Sequence, residues 1–425
     1  MSKKDTLFFK NIFGGVVGNI MEWYDFAVFG FLAPIITIHF FPNDTPLTGL
    51  IMTYGVFATG YMMRPFGGVF FGFIGDKLGR KKALLISMFL MALPTVIIGF
   101  LPTYEEIGIY AALILILLRM IQGLSVGGEL IGSVSYIVEI SSQKQKGFFG
   151  SLTLAGAVGG LVLGSGSVAV LELILGKEAM YEWGWRVPFL AGVVILFIGL
   201  WLREKMSESP EFLKLKHEED FSPLKSVIKN KKLKILHLSM MISLATVSTY
   251  ILFVWIPTYL SDIIKNPFDD ALSFNTISMI VLFISILISG YLSDIYGRLK
   301  IMMFATIAMI LFVYPLFGML QDSRWEIVLS AQLLFAVIVG FIQGPMPSLM
   351  AEMFETNIRY TSIGIGYNFS VAVLGGTAPI IATWLMEISD DVYFVSYYIT
   401  FVALISLVAL FFTSSSKKLE EKVKL

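Results

Sequence analysis

Long apolar runs recur along the whole of this 425-residue chain, each closed by charged or turn-forming residues. A helix needs roughly 20 apolar residues to cross about 30 Å of hydrocarbon, and the runs reach that length repeatedly. Closing each run at its flanking breakers predicts about twelve helices, over 12–40, 47–75, 83–102, 107–139, 147–175, 186–203, 235–261, 271–293, 300–320, 326–352, 360–387 and 391–414. A transmembrane barrel would instead show short alternating segments. The expected class is an all-α membrane protein. The opening MSKKDTLFFKN is basic, but no small-residue cleavage site follows it and the first run is too long for a signal-peptide core, so that run is expected to stay as a span.

The polar positions between the runs set the sides. The connections after spans two, four, six, eight and ten, with both tails, hold roughly 25 of the 31 Lys and Arg. The other connections hold Lys177, Arg186, Lys265 and Arg324, and they carry the acidic pairs Glu105-Glu106, Asp269-Asp270 and Asp390-Asp391. Both termini are therefore expected in the cytoplasm, as in a bacterial inner-membrane protein. Arg64 and Arg119 fall inside spans. The one long loop lies midway and mixes both charge signs. It divides the chain into a six-helix half over 1–203, a cytoplasmic linker over 204–234 and a second six-helix half over 235–425.

Composition agrees with this picture and narrows the chemistry. Hydrophobic residues make up 56% and charged residues 15%, with a mean hydropathy of +0.79, against about 45–50% and 25% in soluble domains. A net charge of zero gives no reason to expect a nucleic-acid partner, and the absence of cysteine excludes disulfides and thiolate metal sites. Only His39, His217 and His237 would titrate near neutrality unperturbed, so proton chemistry within the membrane falls to carboxylates. No nucleotide loop, metal-ligand cluster or nucleophile–base set appears. No cofactor is expected, the bilayer and a small molecule are the partners, and a monomer suffices.

One pattern occurs twice. GFIGDKLGRKK at 72–82 ends span two and GYLSDIYGRLK at 290–300 ends span eight, giving Gly72, Asp76, Gly79, Arg80 and Gly290, Asp294, Gly297, Arg298 at equal spacing. Glu139 precedes Lys146 by seven residues, and Glu352 precedes Arg359 by seven. Two spacings repeating a little over two hundred residues on indicate a duplicated six-helix unit, related by a pseudo-two-fold axis along the membrane normal. Physically, Asp76 or Asp294 can cap the following helix, the glycines permit a tight turn, and Arg80 or Arg298 can reach Glu139 or Glu352. That makes a cytoplasmic latch, or else ordinary basic loops with helix caps.

Charges inside the spans carry the candidate site. A mid-span charge costs about 2.5–3.5 kcal/mol, and the first half contains five: Glu22, Asp25, Arg64, Arg119 and Glu129. Glu22 and Asp25 share a helix face, as do Arg119, Gln122, Val126 and Glu129, with Ser125 beside them. Arg119 suits a substrate carboxylate. Asp25, Glu22 and Glu129 suit a proton, because desolvation and a neighbouring acid both disfavour the charged form. Substrate arriving at Arg119 would change its pairing with an acid and so shift proton affinity; a fixed Arg–acid network joining spans one and four is the alternative. Arg64 precedes Pro65-Phe66-Gly67-Gly68 and could serve packing alone. Gly156, Gly160 and Gly164 form a close-packing stripe on span five. In the second half Gln343, Tyr367 and Asn368 add polar surface, while Trp23, Tyr24, Tyr250 and Trp255 could face a quaternary ammonium or simply anchor their spans.

The repeated Gly-Asp-Gly-Arg loop resembles the signature of the major facilitator superfamily. GNIMEWYDFAVFG, RPFGGVFFGFIGDKLGRKK, RMIQGLSVGGE and EWGWRVPF are similar to its metabolite:proton symporter family. IPTYLSDI, AEMFETNIRY and YNFSVAVLGGTAPIIATWL resemble the proline/betaine branch in particular. The osmosensing member of that branch carries a long C-terminal coiled coil, whereas this sequence stops shortly after SSSKKLEEKVKL, so osmotic regulation by such a tail is not expected. The resemblance implies a symporter importing a small carboxylate-bearing metabolite with protons, by alternating access. A proton-driven exporter of a drug or siderophore, or a sensor on the same scaffold, is the competing reading; span five lacks the Gly-Pro pattern of drug antiporters. Two intramembrane arginines suit a zwitterion or monoanion better than a di- or tricarboxylate.

Overall fold

A computed structural model describes residues 3–42, 46–215, 222–260, 271–389 and 391–423. His217, Lys265, Asp269, Asp270 and Asp390 lie outside the described residues. Nineteen α-helices follow one another among those described: α1 (Lys3–Phe31), α2 (Ala33–Phe40), α3 (Pro46–Lys77), α4 (Arg80–Phe100), α5 (Tyr104–Ile107), α6 (Ile109–Ile140), α7 (Lys146–Ala179), α8 (Arg186–Glu204), α9 (Pro210–Leu213), α10 (Pro223–Asn230), α11 (Lys232–Tyr250), α12 (Ile256–Thr258), α13 (Ala271–Tyr296), α14 (Arg298–Met319), α15 (Trp325–Gln343), α16 (Met346–Glu352), α17 (Arg359–Ser370), α18 (Ala378–Ser389) and α19 (Tyr393–Val423). Helices dominate because a backbone in hydrocarbon must satisfy its own N–H and C=O groups.

Among the described residues, ten stretches are long and apolar enough to cross a membrane, and α1 with α2 forms an eleventh, bent by 68°. The bend falls where Pro34 enters the first turn of α2, which removes a backbone donor and ends α1. The expected second span is the 32-residue α3, which carries Arg64, Pro65 and a run of glycines. The twelve apolar runs thus all lie on helices.

Two compact units divide the chain. The first comprises Met1–Ile140, Gly156–Val227 and Glu355–Gly364; the second comprises Ser141–Ala155, Ile228–Phe354 and Ile365–Leu425. The main boundary, between Val227 and Ile228, falls inside the expected linker, but each unit also takes a short segment from the other half of the sequence. Those two segments begin near the helix starts that follow Glu139 and Glu352.

Small residues set the packing of the first unit. Gly60 and Gly67 on α3 meet Gly123 and Gly127 on α6 so closely that a Cβ at Gly123 would strike the Gly60 backbone and one at Gly127 the carbonyl of Arg64. On α7, a Cβ at Gly160 would lie 3.0 Å from the Tyr24 nitrogen, and one at Gly164 2.6 Å from the Tyr24 oxygen. The stripe therefore grips the face of α1 that carries Val16, Ile20, Tyr24 and Ala27. At about 100° per residue, Gly18, Glu22, Asp25 and Phe29 then fall on the opposite face of α1. That opposite face meets α4 and α6, and the rotation of one helix decides where two acids point.

Candidate substrate and proton site

Asp25 sits at the centre of a buried polar cluster in the first unit. Arg119 Nη1 on α6 donates to Asp25 Oδ2 at 2.6 Å, with both side chains no more than 2% exposed. Asp25 Oδ1 accepts from Thr95 Oγ1 on α4 at 2.9 Å and from Gln122 Nε2 on α6 at 3.1 Å. Gln122 Nε2 also donates to Thr95 Oγ1 at 2.8 Å. The guanidinium carbon of Arg119 lies 3.7 Å from the Phe29 ring centroid, a cation–π contact that covers one face of the cation. Its Nε and Nη2 have no hydrogen-bond partner among the described residues. Those two nitrogens form one edge of the guanidinium, the edge that accepts a carboxylate through two parallel bonds.

Glu129, read from sequence as a neighbour of Arg119, is held elsewhere. Arg203, at the end of α8, bonds both Glu129 oxygens, and Ser87 on α4 donates to it as well. Arg203 also donates to the carbonyls of Gly14 and Leu84. Gly18 leaves the space for this pair, since a Cβ there would strike both Glu129 and Arg203. Sequence reasoning counted Arg203 with the basic residues beyond span six; it is fully buried instead. Its position at the end of a span gave no signal of that role, and neither did Thr95 or Ser87 inside span three.

The remaining candidates separate. Glu22 is 1% exposed, and neither of its oxygens has a hydrogen-bond partner among the described residues. Arg64 is buried with its guanidinium 5.5 Å from the Tyr61 ring and acts electrostatically on Glu22. Tyr24 donates to the Pro188 carbonyl at 2.8 Å, tying α1 to α8. Trp23 is partly buried, with its ring 6.1 Å from Phe26. In the second unit, Trp255 stacks on Tyr259 at 4.8 Å and on Phe317 at 6.1 Å and donates to Thr383. Gln343 donates to Thr249 at 2.6 Å, while Tyr367 and Asn368 are buried on α17, and Tyr250 ends α11. Tyr24 and Trp255 are thus committed to packing contacts, which leaves less of their ring surface for a cation.

The repeated motif builds one charge cluster in each unit. In the first, Arg80 bridges Asp76 at 3.0 Å and Glu139 at 2.9 Å, and donates to the Thr356 carbonyl at 2.6 Å. Arg359 pairs with Glu139 at 2.7 Å and with Glu211 at 2.8 Å. In the second, Arg298 pairs with Glu352 and with Asp294 at 3.3 Å, and donates to the Gln143 carbonyl at 3.0 Å.

The aspartates do not cap the helices that follow them. Asp76 accepts from the backbone of Tyr360 at 3.1 Å and Thr361 at 2.8 Å, at the start of α17; Asp294 accepts from Gly147 at 2.7 Å and Phe148 at 2.8 Å, at the start of α7. The following helices begin instead at Gly79 and Gly297, whose φ values of +107° and +99° suit glycine and place no side chain at the cap. Gly72 permits the approach, since a Cβ there would meet Thr361 Cα at 2.7 Å.

The linker joins the first cluster. Glu208 accepts from the Arg80 backbone at 3.1 Å and from Lys81, and Ser209 donates to Glu139. Ser209 also caps α9, with Pro210 at its first position. Ser-Pro-Glu is a helix-start signal legible in the sequence; its docking against Arg80 is not.

Residues 12–234 match the family described as sugar (and other) transporters, and residues 270–424 match the major facilitator superfamily. The chain belongs to the major facilitator superfamily. It is 34% identical over 421 residues to the glycine betaine/proline/ectoine/pipecolic acid transporter of Dickeya dadantii, an alignment covering 96% of this chain and 84% of that protein. It is also 34% identical to the proline/betaine transporter of Salmonella typhimurium, over 94% and 82% of the two chains. The solved proton:xylose symporter of Escherichia coli is similar in fold, with a TM-score of 0.80 at 16% identity over 97% and 96% of the chains. A bacterial homologue of the iron transporter ferroportin in an outward-facing state gives 0.72 at 15% identity over 95% and 99%. The protein is a multi-pass membrane transporter of a small molecule, not an enzyme, and its fold is the superfamily's twelve helices in two halves.

Proposed function

We propose that this transporter imports a small carboxylate-bearing zwitterion or monoanion together with protons, by alternating access. The observation that carries this reading is Arg119: it holds Asp25 through Nη1 while its Nε–Nη2 edge is buried without a hydrogen-bond partner among the described residues. A substrate carboxylate on that edge adds a second anion beside Asp25. Two anions then share one cation, which weakens the claim of Asp25 on Arg119 and favours uptake of a proton by the acids on that face of α1. Proline and betaines fit the charge count, and the relatives carry proline and betaine in their names. The Asp76–Arg80–Glu139–Arg359 cluster and its Asp294–Arg298–Glu352 counterpart act as latches that open once per cycle. Both termini face the cytoplasm, the membrane is the bacterial inner one, and a single chain is the working unit.

Purified protein in proteoliposomes, given an acid-outside gradient, should accumulate radiolabelled proline or glycine betaine. Extrusion of a loaded drug, or no flux of either kind, would refute import. In a thermal-shift screen of proline, betaines and organic acids, wild-type protein should be stabilised by its ligand through mass action. Arg119→Ala, compared with its own ligand-free midpoint, should lose that shift.

A further inference from the structure

Apart from Asp76 and Glu139 of the repeated-motif cluster, Glu22, Asp25 and Glu129 are buried in the first unit, and two of these three have dedicated cations. Asp25 is bonded by Arg119, Thr95 and Gln122; Glu129 is bonded by Arg203 and Ser87. Glu22 is as deeply buried, yet neither oxygen accepts a hydrogen bond from any described residue.

Arg64 on α3 attracts a charge at Glu22, and Glu129 on α6 repels it. On its own helix Asp25 lies three residues away, already tied to Arg119 on α6. Arg203 on α8 is tied to Glu129. From α4 come Ser87 and Thr95, whose hydroxyls serve Glu129 and Asp25. The stripe on α7 sets Gly160 against Ile20 and Tyr24, on the other side of α1.

An ionised carboxylate taken out of water and given no donor is the most expensive state for a buried acid. The neutral acid needs only one acceptor and carries no Born penalty. We propose that Glu22 carries the proton in this conformation as a neutral carboxylic acid, and that Arg64 is the cation that compensates its charge when the proton leaves to water. Asp25 and Arg119 then sense substrate, and Glu22 one turn away holds the coupled proton. The coupling role rests on the symporter reading above; the protonation state does not.

Two measurements test the assignment. Infrared spectra of the purified full chain at neutral pH should show the C=O stretch of a protonated carboxyl group. Glu22→Gln should abolish the band, and Glu22→Asp, which keeps the acid, should retain it. Wild-type protein without the band, or a band untouched by Glu22→Gln, overturns the proposal whatever the protein transports. In proteoliposomes, one proton per substrate supports accumulation of about tenfold per unit of pH gradient, and Glu22→Gln should lose that gradient-driven excess while Glu22→Asp keeps part of it. Full accumulation by Glu22→Gln, with loss only in Asp25→Asn, places the coupled proton on Asp25 and overturns the role given to Glu22. If wild-type protein shows no gradient-driven uptake, the symporter reading fails, and the infrared band alone decides the state of Glu22.

Discussion

Replacing Arg119 by Gln removes the cation from a pair in which both side chains are at most 2% exposed. Asp25 keeps Thr95 and Gln122 as donors but loses the Arg119 cation, and breaking one side of a buried pair costs about 3–5 kcal/mol. Asp25→Asn costs a similar amount, because it strands the guanidinium with only Phe29 beneath it. The double variant Asp25→Asn/Arg119→Gln strands neither charge. Its loss should be smaller than the sum of the single losses by about 1–3 kcal/mol, the interaction energy expected of residues in contact. Equilibrium unfolding of the four proteins in detergent micelles measures all of these quantities. Strictly additive losses, or a double variant worse than both singles combined, would show that the two side chains do not interact in the folded protein.

The Arg203–Glu129 pair should behave likewise: Arg203→Gln is expected to destabilise by about 3–5 kcal/mol and Glu129→Gln to rescue part of it, read from the same unfolding curves. Gly160→Leu forces a side chain into the backbone of Ile20 and Tyr24; overpacking of about 1–3 kcal/mol and a lower melting temperature follow, whereas Gly166→Ala, facing open space, should be neutral. Asp76→Ala removes the cap of α17 as well as a partner of Arg80, so it should cost more than the roughly 1 kcal/mol of a cap alone; Asp76→Asn, which keeps one acceptor oxygen for the two backbone N–H groups, should cost less than Asp76→Ala in the same unfolding curves. On the surface, hydrogen bonds from Arg324 hold the Asp322 carboxyl down at about 2. A group depressed in this way favours the folded state above its ordinary value of 3.8 and loses that contribution as pH falls through about 2. Carboxyl NMR titration of Arg324→Gln should find Asp322 raised toward its ordinary value but still below it, because the backbone N–H of residue 324 continues to donate to the carboxylate.

The sequence by itself determined the number and placement of the spans, because an apolar run of membrane length has one way to satisfy its backbone. It also determined that Glu22 and Asp25 share a face, and that Arg80, Glu139 and Arg298, Glu352 belong to one repeated device, because spacing along a helix and along the chain is written in residue order. Which way that face of α1 points was decided only in the tertiary structure, by Gly160 and Gly164 of α7 gripping the opposite side. Ion pairing was decided there too: Arg64, Arg119 and Arg203 compete for Glu22, Asp25 and Glu129, their order along the chain does not choose among the pairings, and only the packing of α4, α6 and α8 brings Arg203 to Glu129. Asp76 and Asp294 show the same limit. Each looks like a cap for the next helix, yet glycine occupies that cap, and each carboxylate is free to bind the backbone of a helix far away in sequence. A side chain's contacts depend on distances that close only when the helices pack, and local residue order carries no record of them.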